Sequence, residues 1–558
     1  MSEPWILGLA ASHQGAACLL HGDRVVAAIQ EERLTRTKRA ALVPSTEFKA
    51  LPYVLEAAGI GVNDLDLVVL CPLQAPSSAQ NDLGAHPTLA HIPRLTIPHH
   101  YGHAMGAYAA SGFEDTAICV IDAMGSRVED LPPAEREVIV GTESDLNRPT
   151  HPGCEARELI SFYDARGGVL RPLEKRVSGH DLFETGGDHR PRMMSFRGLG
   201  IMYMAVAQQI FGHWGDSGKV MGLAPYGEAT YPVEAFWRLS DGFLDFSDTV
   251  HEDFRHAERW PMHQQTYADL AASCQRALEA GLDVIWDRLH RASQATRLCY
   301  AGGVAMNSVA NERLIQSGRF QEVFVMPAAE DCGTAVGAAF HGLYTLTGSP
   351  RCGHPWTDTW GRDWGLGVPS AETLRATCEK LEAGDAVGWF QGRSEFGPRS
   401  LGHRAILFDP RRPDAQQHLN RHVKGREDFR PFAPVIQEAH AEAWLDLGRG
   451  DPRSPYMLRV VPVRPEKRNV VPGITHVDGT TRPQTLAQDH APALHALLSV
   501  FRERTGVPML LNTSLNVMGE PIVESPEQAI ACCKATGIDW LVLGDQLIST
   551  RSAHGHCE

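Results

Sequence analysis

The sequence has no surplus of positive charge. Its 52 Lys and Arg stand against 67 Asp and Glu, a formal net charge of −15 at pH 7. A chain with this balance has no general counterion-release drive toward a nucleic-acid backbone, so any anion must be held by a local cluster. Cys-x-x-Cys pairs are lacking as well. The 12 cysteines are scattered, and those in apolar surroundings, such as Cys18, Cys119 and Cys299, read as small hydrophobes. At 558 residues the chain is long enough for about three or four structural units with cores of their own, which excludes a disulfide-stapled mini-fold. No apolar run approaches the roughly 18 to 20 residues that cross a bilayer; the longest, such as residues 67–71, read as buried strands. The start, Met1-Ser-Glu-Pro followed at once by Trp5-Ile-Leu-Gly-Leu9, lacks the basic, apolar and small-residue regions of a secretory signal. The expectation is an enzyme of the cytoplasm, bound neither to a membrane nor to nucleic acid.

What is present is an α/β pattern. Residues 5–9, 16–20 and 25–30 alternate with turn residues, which predicts an antiparallel meander. A helix over 46–58 and a strand over 67–70 follow. The pattern restarts at strand 117–121, which ends in Asp122-Ala-Met-Gly125, with further strands expected at 137–140 and 159–163. That restart predicts two related halves facing each other. A helix over 267–295 then leads to strand 297–300, the loop Ala301-Gly-Gly-Val304, a helix to about residue 317, strand 323–326 and a helix from Gly333. Residues 348–369 carry Pro350, Pro355 and Pro369 with neither period, so 351–370 reads as a linker joining a first domain, 1–350, to a second, 371–558. The second alternates helices (371–381, 413–423, 493–504, 526–535) with strands (386–390, 509–511, 540–543).

Pro98-His99-His100-Tyr-Gly-His103-Ala104 places His99 and His103 on one face of a predicted helix, about a turn apart. Two neutral imidazoles so arranged suit a divalent transition metal, and softness alone does not separate Zn, Fe, Mn or Ni. Among 26 histidines such a pair also arises by chance. Asp122 and Asp331, each at a strand-to-helix turn, are the candidate carboxylate ligands. His13, in the first hairpin, is the candidate general base, with an exposed turn histidine as the alternative.

Two glycine-rich stretches are candidate nucleotide loops. Ala301-Gly302-Gly303-Val-Ala-Met-Asn307 follows a strand and opens a helix, where backbone amides can approach a phosphate. Gly215-Asp-Ser-Gly-Lys219-Val-Met-Gly carries Lys219 but departs from a Walker A loop; a tight turn remains the alternative for either. Further on, Arg393, Arg399, Arg404, Lys424, Arg426 and Arg430 crowd together among Gly392, Gly397, Pro398, Gly402 and Pro431. Guanidinium forks and close-approach glycines point to a pocket for phosphates or a planar carbamoyl group, with a solvated salt-bridge face as the alternative. Thr481-Arg482-Pro-Gln-Thr485 and Leu511-Asn512-Thr-Ser-Leu-Asn516 add polar groups at loops after strands.

In their order, these motifs resemble the nodulation and cephalosporin O-carbamoyltransferases, an antibiotic-type family that includes the tobramycin enzyme. The resemblance spans nearly the whole chain. It is carried by His13, His99-His-x-x-His103-Ala, Asp122, Gly218-Lys-Val-Met-Gly-Leu-Ala, Ala301-Gly-Gly-Val-x-x-Asn307, Asp331, Gly397-Pro-Arg-Ser-Leu-Gly402, Lys424, Arg430-Pro-Phe-Ala-Pro434, Thr481-Arg-Pro-Gln-Thr485 and Leu511-Asn-Thr-Ser. It implies an N-terminal carbamoyl-transfer domain of the duplicated actin, heat-shock-chaperone and sugar-kinase type, joined to a C-terminal YrdC-like α/β domain. The implied reaction is ATP-dependent: carbamoyl phosphate and ATP give carbamoyl-adenylate, whose carbamoyl group passes to a hydroxyl of a small secondary metabolite. By matching motif, Arg399, Lys424, Arg430, Arg482 and Asn512 would bind carbamoyl phosphate and ATP. Lys219, Gly302, Gly303 and Asn307 would contact the nucleotide in the first domain. His99, His103, Asp122 and Asp331 would ligate a divalent metal, with iron favoured, His13 would be the base, and Mg2+ would accompany ATP. A homodimer is left open.

Two departures stand out: Gln14 follows His13 where that family tends to carry an acid, and residues 126–196 match nothing recognisable. The latter are expected to shape the acceptor pocket, since loops on a rigid scaffold carry specificity. Carbamate and its adenylate are labile in water, which predicts an enclosed passage between the domains. Two rivals differ in products: a sugar-kinase-like phosphotransferase would yield ADP, and a non-catalytic nucleotide-binding scaffold would yield none.

Overall fold

The computed structural model describes residues 3–75, 77–140, 156–179, 183–185, 191–193, 198–240, 242–247, 250, 258–350 and 357–550. The first sheet is built from β1 (Trp5–Ala11), β2 (Ala16–His21), β3 (Arg24–Gln30), β4 (Leu67–Pro72) and β5 (Arg94–Thr96), in the order β3-β2-β1-β4-β5. β1 to β3 form an antiparallel meander, and β4 and β5 run parallel to β1. β1 and β4 are buried almost throughout, so their near-continuous apolar runs are what a sheet covered on both faces requires.

The second sheet repeats this plan. β6 (Thr116–Ile121), β7 (Ala156–Arg166) and β8 (Val169–Gly179) form the meander, and β13 (Arg297–Ala301) and β14 (Glu322–Val325) run parallel to β6. The order β14-β13-β6-β7-β8 is the first sheet's plan read from the other end. The duplication expected from the restart is therefore present in topology. Two short hairpins, β9 (Phe183–Thr185) with β10 (Pro191–Met193) and β11 (Trp237–Ser240) with β12 (Phe243–Phe246), lie between.

Two sequence expectations change here. Residues 137–140 form no strand; only Ile139 bridges to Lys175, because the Pro133–Arg136 helical turn occupies the approach. Of the stretch 126–196, which the sequence reading left without a match, residues 156–179 are β7 and β8, the meander of the second half and so part of the scaffold. Residues 141–155, 180–182, 186–190 and 194–197 lie outside the described residues.

Close contact between two helices draws the chemistry-bearing turns of the first domain together. The helix His99–Ser111 crosses the helix Thr334–Thr347 through glycines: a Cβ on Gly337 would stand 1.8 Å from the Gly102 carbonyl oxygen. A Cβ on Gly8 of β1 would meet the Ala335 carbonyl oxygen at 2.1 Å. No side chain larger than hydrogen fits either contact, and the N-terminal turns of both helices thereby become neighbours. The long helix Gln264–Ser293 covers the second sheet and buries Trp286 completely.

Residues 357–370, inside the stretch expected as a linker, form neither helix nor regular strand, yet they are packed. Trp360 is 4% exposed, and its carbonyl accepts a hydrogen bond from the Ala28 amide of β3. Beyond them stands a seven-stranded sheet of β15 (Val387–Phe390), β16 (Arg404–Phe408), β17 (Ala433–Gln437), β20 (Gln484–Leu486), β21 (Met509–Ser514), β22 (Trp540–Leu543) and β23 (Gln546–Ser549), with β18 (Val461–Pro462) and β19 (Thr480–Thr481) paired beside it. The helices Ala371–Ala383, Pro492–Thr505 and Pro526–Thr536 agree with the sequence reading. The helix expected at 413–423 is Ala415–His418 running into a π-helical turn, Leu419–Lys424.

A dense seam joins the two parts. Arg33 donates to the Gly397 carbonyl at 2.8 Å, Arg36 to the Ile522 carbonyl at 2.8 Å and Tyr53 to Glu524 at 2.5 Å. Phe429 belongs to the C-terminal part but is buried among Phe211, Trp260 and Tyr226 of the N-terminal part. No helix among the described residues is long and apolar enough to cross a membrane.

Candidate functional site

The glycine-mediated helix crossing explains the first cluster. His99 and His103 face the same way from the first turns of their helix, with side chains 0% and 1% exposed. Asp122 lies just past the end of β6, its Oδ2 3.7 Å from His99 Nε2 and 3.3 Å from His103 Nε2. Asp331 opens the turn into the Thr334–Thr347 helix, with Oδ1 3.5 Å from His99 Nε2. The four side chains offer ligand atoms that all lie within 4.8 Å of one another.

The donor chemistry fits a divalent cation. His99 Nε2 and His103 Nε2 face each other at 3.2 Å, while Asp122 Oδ2 and Asp331 Oδ2 are buried with imidazole nitrogens as their near polar neighbours, His103 Nε2 and His13 Nδ1 each at 3.3 Å. Converging buried lone pairs of this kind are costly unless a cation unites them, and two imidazoles with two carboxylates suit a first-row transition ion. Burial opposes charge on His99, yet the carboxylates of Asp331 and Asp122 hold its pKa well above the usual imidazole range. Burial likewise opposes charge on the aspartates, and the histidines outweigh it, holding both below the usual carboxylate range. Alanine in place of His103 is expected to weaken binding of added Fe2+ or Co2+ by more than about 100-fold, the upper range for loss of a mere outer-shell contact, as read by isothermal titration.

His13 sits at the rim, 41% exposed, with Nδ1 3.3 Å from Asp331 Oδ2 and its ring edge-on to Trp214. The neighbouring Gln14 is also engaged, its Oε1 accepting from the Asp331 amide at 3.1 Å. The residue that departed from the expected acid thus fastens the backbone of a candidate ligand.

Of the first domain's nucleotide candidates, Gly302 and Gly303 border this cluster. Gly302 has φ +89°, with room for no Cβ beside the Ile121 carbonyl, and a Cβ on Gly303 would come 3.1 Å from Asp122 Oδ1. Asn307 is engaged elsewhere: it caps the Ser308–Gln316 helix and exchanges hydrogen bonds with Gln275. Lys219 pairs with Asp216 at 3.1 Å and, across the seam, with Glu427 at 2.7 Å.

The second cluster is cationic. Burial and mutual repulsion depress Arg426, to about 9, and Arg482, well below the guanidinium range; Arg482 feels Arg399, Arg426 and Arg430. Arg399 and Arg430 are lowered by burial, partly offset by Glu330 and Glu427 respectively. Cations packed with so little compensating carboxylate form a site that an anion would relieve. Arg399 Nε, Ser400 Oγ, Thr481 Oγ1 and Asn512 Oδ1 are buried with no hydrogen-bond partner.

Not every residue of the arginine-rich stretch belongs here. Arg393 donates to the carbonyls of Gly361 and Val26, and Arg404 to those of Gln391 and Gly392 while lying over the Phe390 ring. Both brace the backbone. Lys424 donates to the carbonyls of Ser514 and Asn516 and to Asn516 Oδ1, and burial with Arg426 and Arg430 nearby lowers its pKa. Asn512 donates to the Ser400 carbonyl and to Gln484, leaving its own oxygen free.

The clusters adjoin. A Cβ on Gly397 would lie 3.5 Å from the Pro327 carbonyl oxygen, and Arg399 interacts with Glu330, the neighbour of Asp331. Sequence reasoning missed Glu330; its only signal was adjacency to Asp331.

Residues 5–82 and 77–340 match the family model described as "Carbamoyltransferase N-terminus", and 378–550 match "Carbamoyltransferase C-terminus". The chain is 32% identical to the nodulation protein NolNO of Sinorhizobium fredii over 97% of its own length and 79% of that protein. It is 35% identical to the nodulation protein NolO of Bradyrhizobium diazoefficiens, covering 82% of this chain and 79% of that one. The 3'-hydroxymethylcephem-O-carbamoyltransferase of Streptomyces clavuligerus is 32% identical over 59% of this chain and 64% of its own length.

Proposed function

Because the chain belongs to the carbamoyltransferase family, we propose that it is an ATP-dependent O-carbamoyltransferase acting through carbamoyl-adenylate on a hydroxyl of a small secondary metabolite. One observation carries this reading: the Gly397 turn of the arginine-rich stretch packs against Pro327 and Ala328, at the head of the loop whose Asp331 joins the His–Asp quartet, so the two clusters adjoin. A labile intermediate made at the first reaches the second over a short, protected path.

In the first stage, water releases phosphate from carbamoyl phosphate; a carbamate oxygen then attacks the α-phosphorus of ATP and expels pyrophosphate. Arg399, Arg430 and Arg482, with Arg426, neutralise the phosphate oxygens and offset charge as the leaving group departs. The free Asn512 Oδ1 accepts from the carbamoyl NH2. Lys424 holds the 514–516 turn beside them. Residues 371–558 would thus form the adenylate-forming domain and 1–350 the transfer domain. The Gly302–Gly303 loop is the part of the latter left free to meet the nucleotide.

In the second stage the acceptor hydroxyl gives its proton to His13, its oxygen attacks the carbamoyl carbon, and AMP leaves. Exposure of His13 at the rim lets it meet an acceptor arriving from solvent, while Asp331 steadies the imidazolium that forms. A divalent cation held by His99, His103, Asp122 and Asp331, iron being favoured, would supply Lewis acidity toward the carbamoyl oxygen.

The test omits the acceptor. Incubation with carbamoyl phosphate, ATP and Mg2+ should release pyrophosphate, with AMP appearing once a hydroxylated acceptor is supplied. ADP as the nucleotide product would replace this reading with a phosphotransferase.

A further inference from the structure

We propose that Glu158, clamped by the buried Lys175, is a positioning residue that fixes the spacing between the two ligand-bearing segments of the metal centre. The inference rests on the metal reading of the His–Asp quartet and concerns a part of the chain that carries none of the family motifs.

Glu158 lies in β7, and its backbone grips the turn that carries Asp122. Its amide donates to the Ser126 carbonyl at 3.0 Å, its carbonyl accepts from Gly125 at 2.8 Å, and the adjoining Leu159 carbonyl accepts from the Asp122 amide at 3.0 Å. The side chain reaches the other segment. Glu158 Oε2 accepts from the Ser126 amide at 3.0 Å and from the His100 amide at 3.4 Å, while Ser126 Oγ accepts from the His99 amide at 2.8 Å. The His99–Ser111 helix has Pro98 at its start and no side-chain cap of its own, so these oxygens satisfy its first amides from outside. One carboxylate therefore ties the helix of His99 and His103 to the turn of Asp122.

The carboxylate is itself locked. Lys175 Nζ donates to Glu158 Oε1 at 2.5 Å and to Ser161 Oγ and Tyr163 OH, and pairs with Glu135 at 2.9 Å. Lys175 and Glu158 are 0% exposed. A buried ion cluster of this kind is seldom the most stabilising filling for a core, and its better-attested use is to specify one geometry. Gly125 belongs to the same design: a Cβ there would come 2.8 Å from Glu158 Oε2 and 2.6 Å from the His100 ring.

The test follows cation binding and adenylation separately in the full chain. Unaltered protein, Glu158→Gln and Ser126→Ala are freed of metal, titrated with Co2+, and read by calorimetry and by the visible absorption of the bound ion. Each variant should bind Co2+ about 10- to 100-fold more weakly, with a shifted spectrum, and release pyrophosphate from carbamoyl phosphate and ATP at the unaltered rate. Unchanged affinity and spectrum in both variants overturn the proposal. If Glu158→Gln fails to fold, Ser126→Ala decides alone, since it removes one hydroxyl and leaves the ion cluster intact. An unaltered chain that binds no Co2+ or Fe2+ removes the metal reading, and this inference with it.

Discussion

Alanine in place of Arg399 should lower acceptor-independent pyrophosphate release by about two to three orders of magnitude, the usual cost of deleting one donor aimed at developing charge. Arg399 is a member of the cationic cluster: it repels Arg430 and Arg482 and is eased by Glu330, while its Nε has no partner within the protein. Losing it removes a phosphate contact without unpairing a carboxylate that depends on it alone, since Glu330 also interacts with Arg39. Stability should change little. The measurement is a pyrophosphate assay with carbamoyl phosphate and ATP; a rate within about threefold of the unaltered protein, far short of the loss of a charge-stabilising donor, would remove Arg399 from the adenylating site.

His13→Ala should do the reverse. Pyrophosphate release without acceptor continues, and carbamoylation of the acceptor falls by about two to four orders of magnitude, the range for a lost general base. The exposed hairpin position of His13 makes the replacement mild for the fold. Loss of both partial reactions in a folded variant would undo the division of labour between the sites.

Much of the site is legible from residue order alone. The His99–His103 spacing is a helical period, so the two rings had to share a face once the helix formed, and Asp122 just past a strand and Asp331 in a strand-to-helix turn stand where α/β folds gather ligands. Duplication is legible as a restart of the pattern, although its proof is strand order. What escapes the sequence depends on tertiary partners. Nothing local distinguishes Arg399, which shares mutual repulsion with Arg430 and Arg482, from Arg393 and Arg404, which brace carbonyls across the seam and within the loop. The role of Gln14 is hidden for the same reason: its partner is the Asp331 amide, remote in sequence. The strand expected at 137–140 fails because apolar alternation over so short a run is overridden by a proline-led helical turn before it.

The seating of Phe429 among Phe211, Trp260 and Tyr226 bears on how such chains can be recombined. A chimera cut near residue 360 would bring a foreign knob to a native socket, or expose a native one to water. Exchange of whole modules between relatives should therefore succeed only when the socket residues travel with the knob, and the unit of inheritance is the matched pair of surfaces rather than either half.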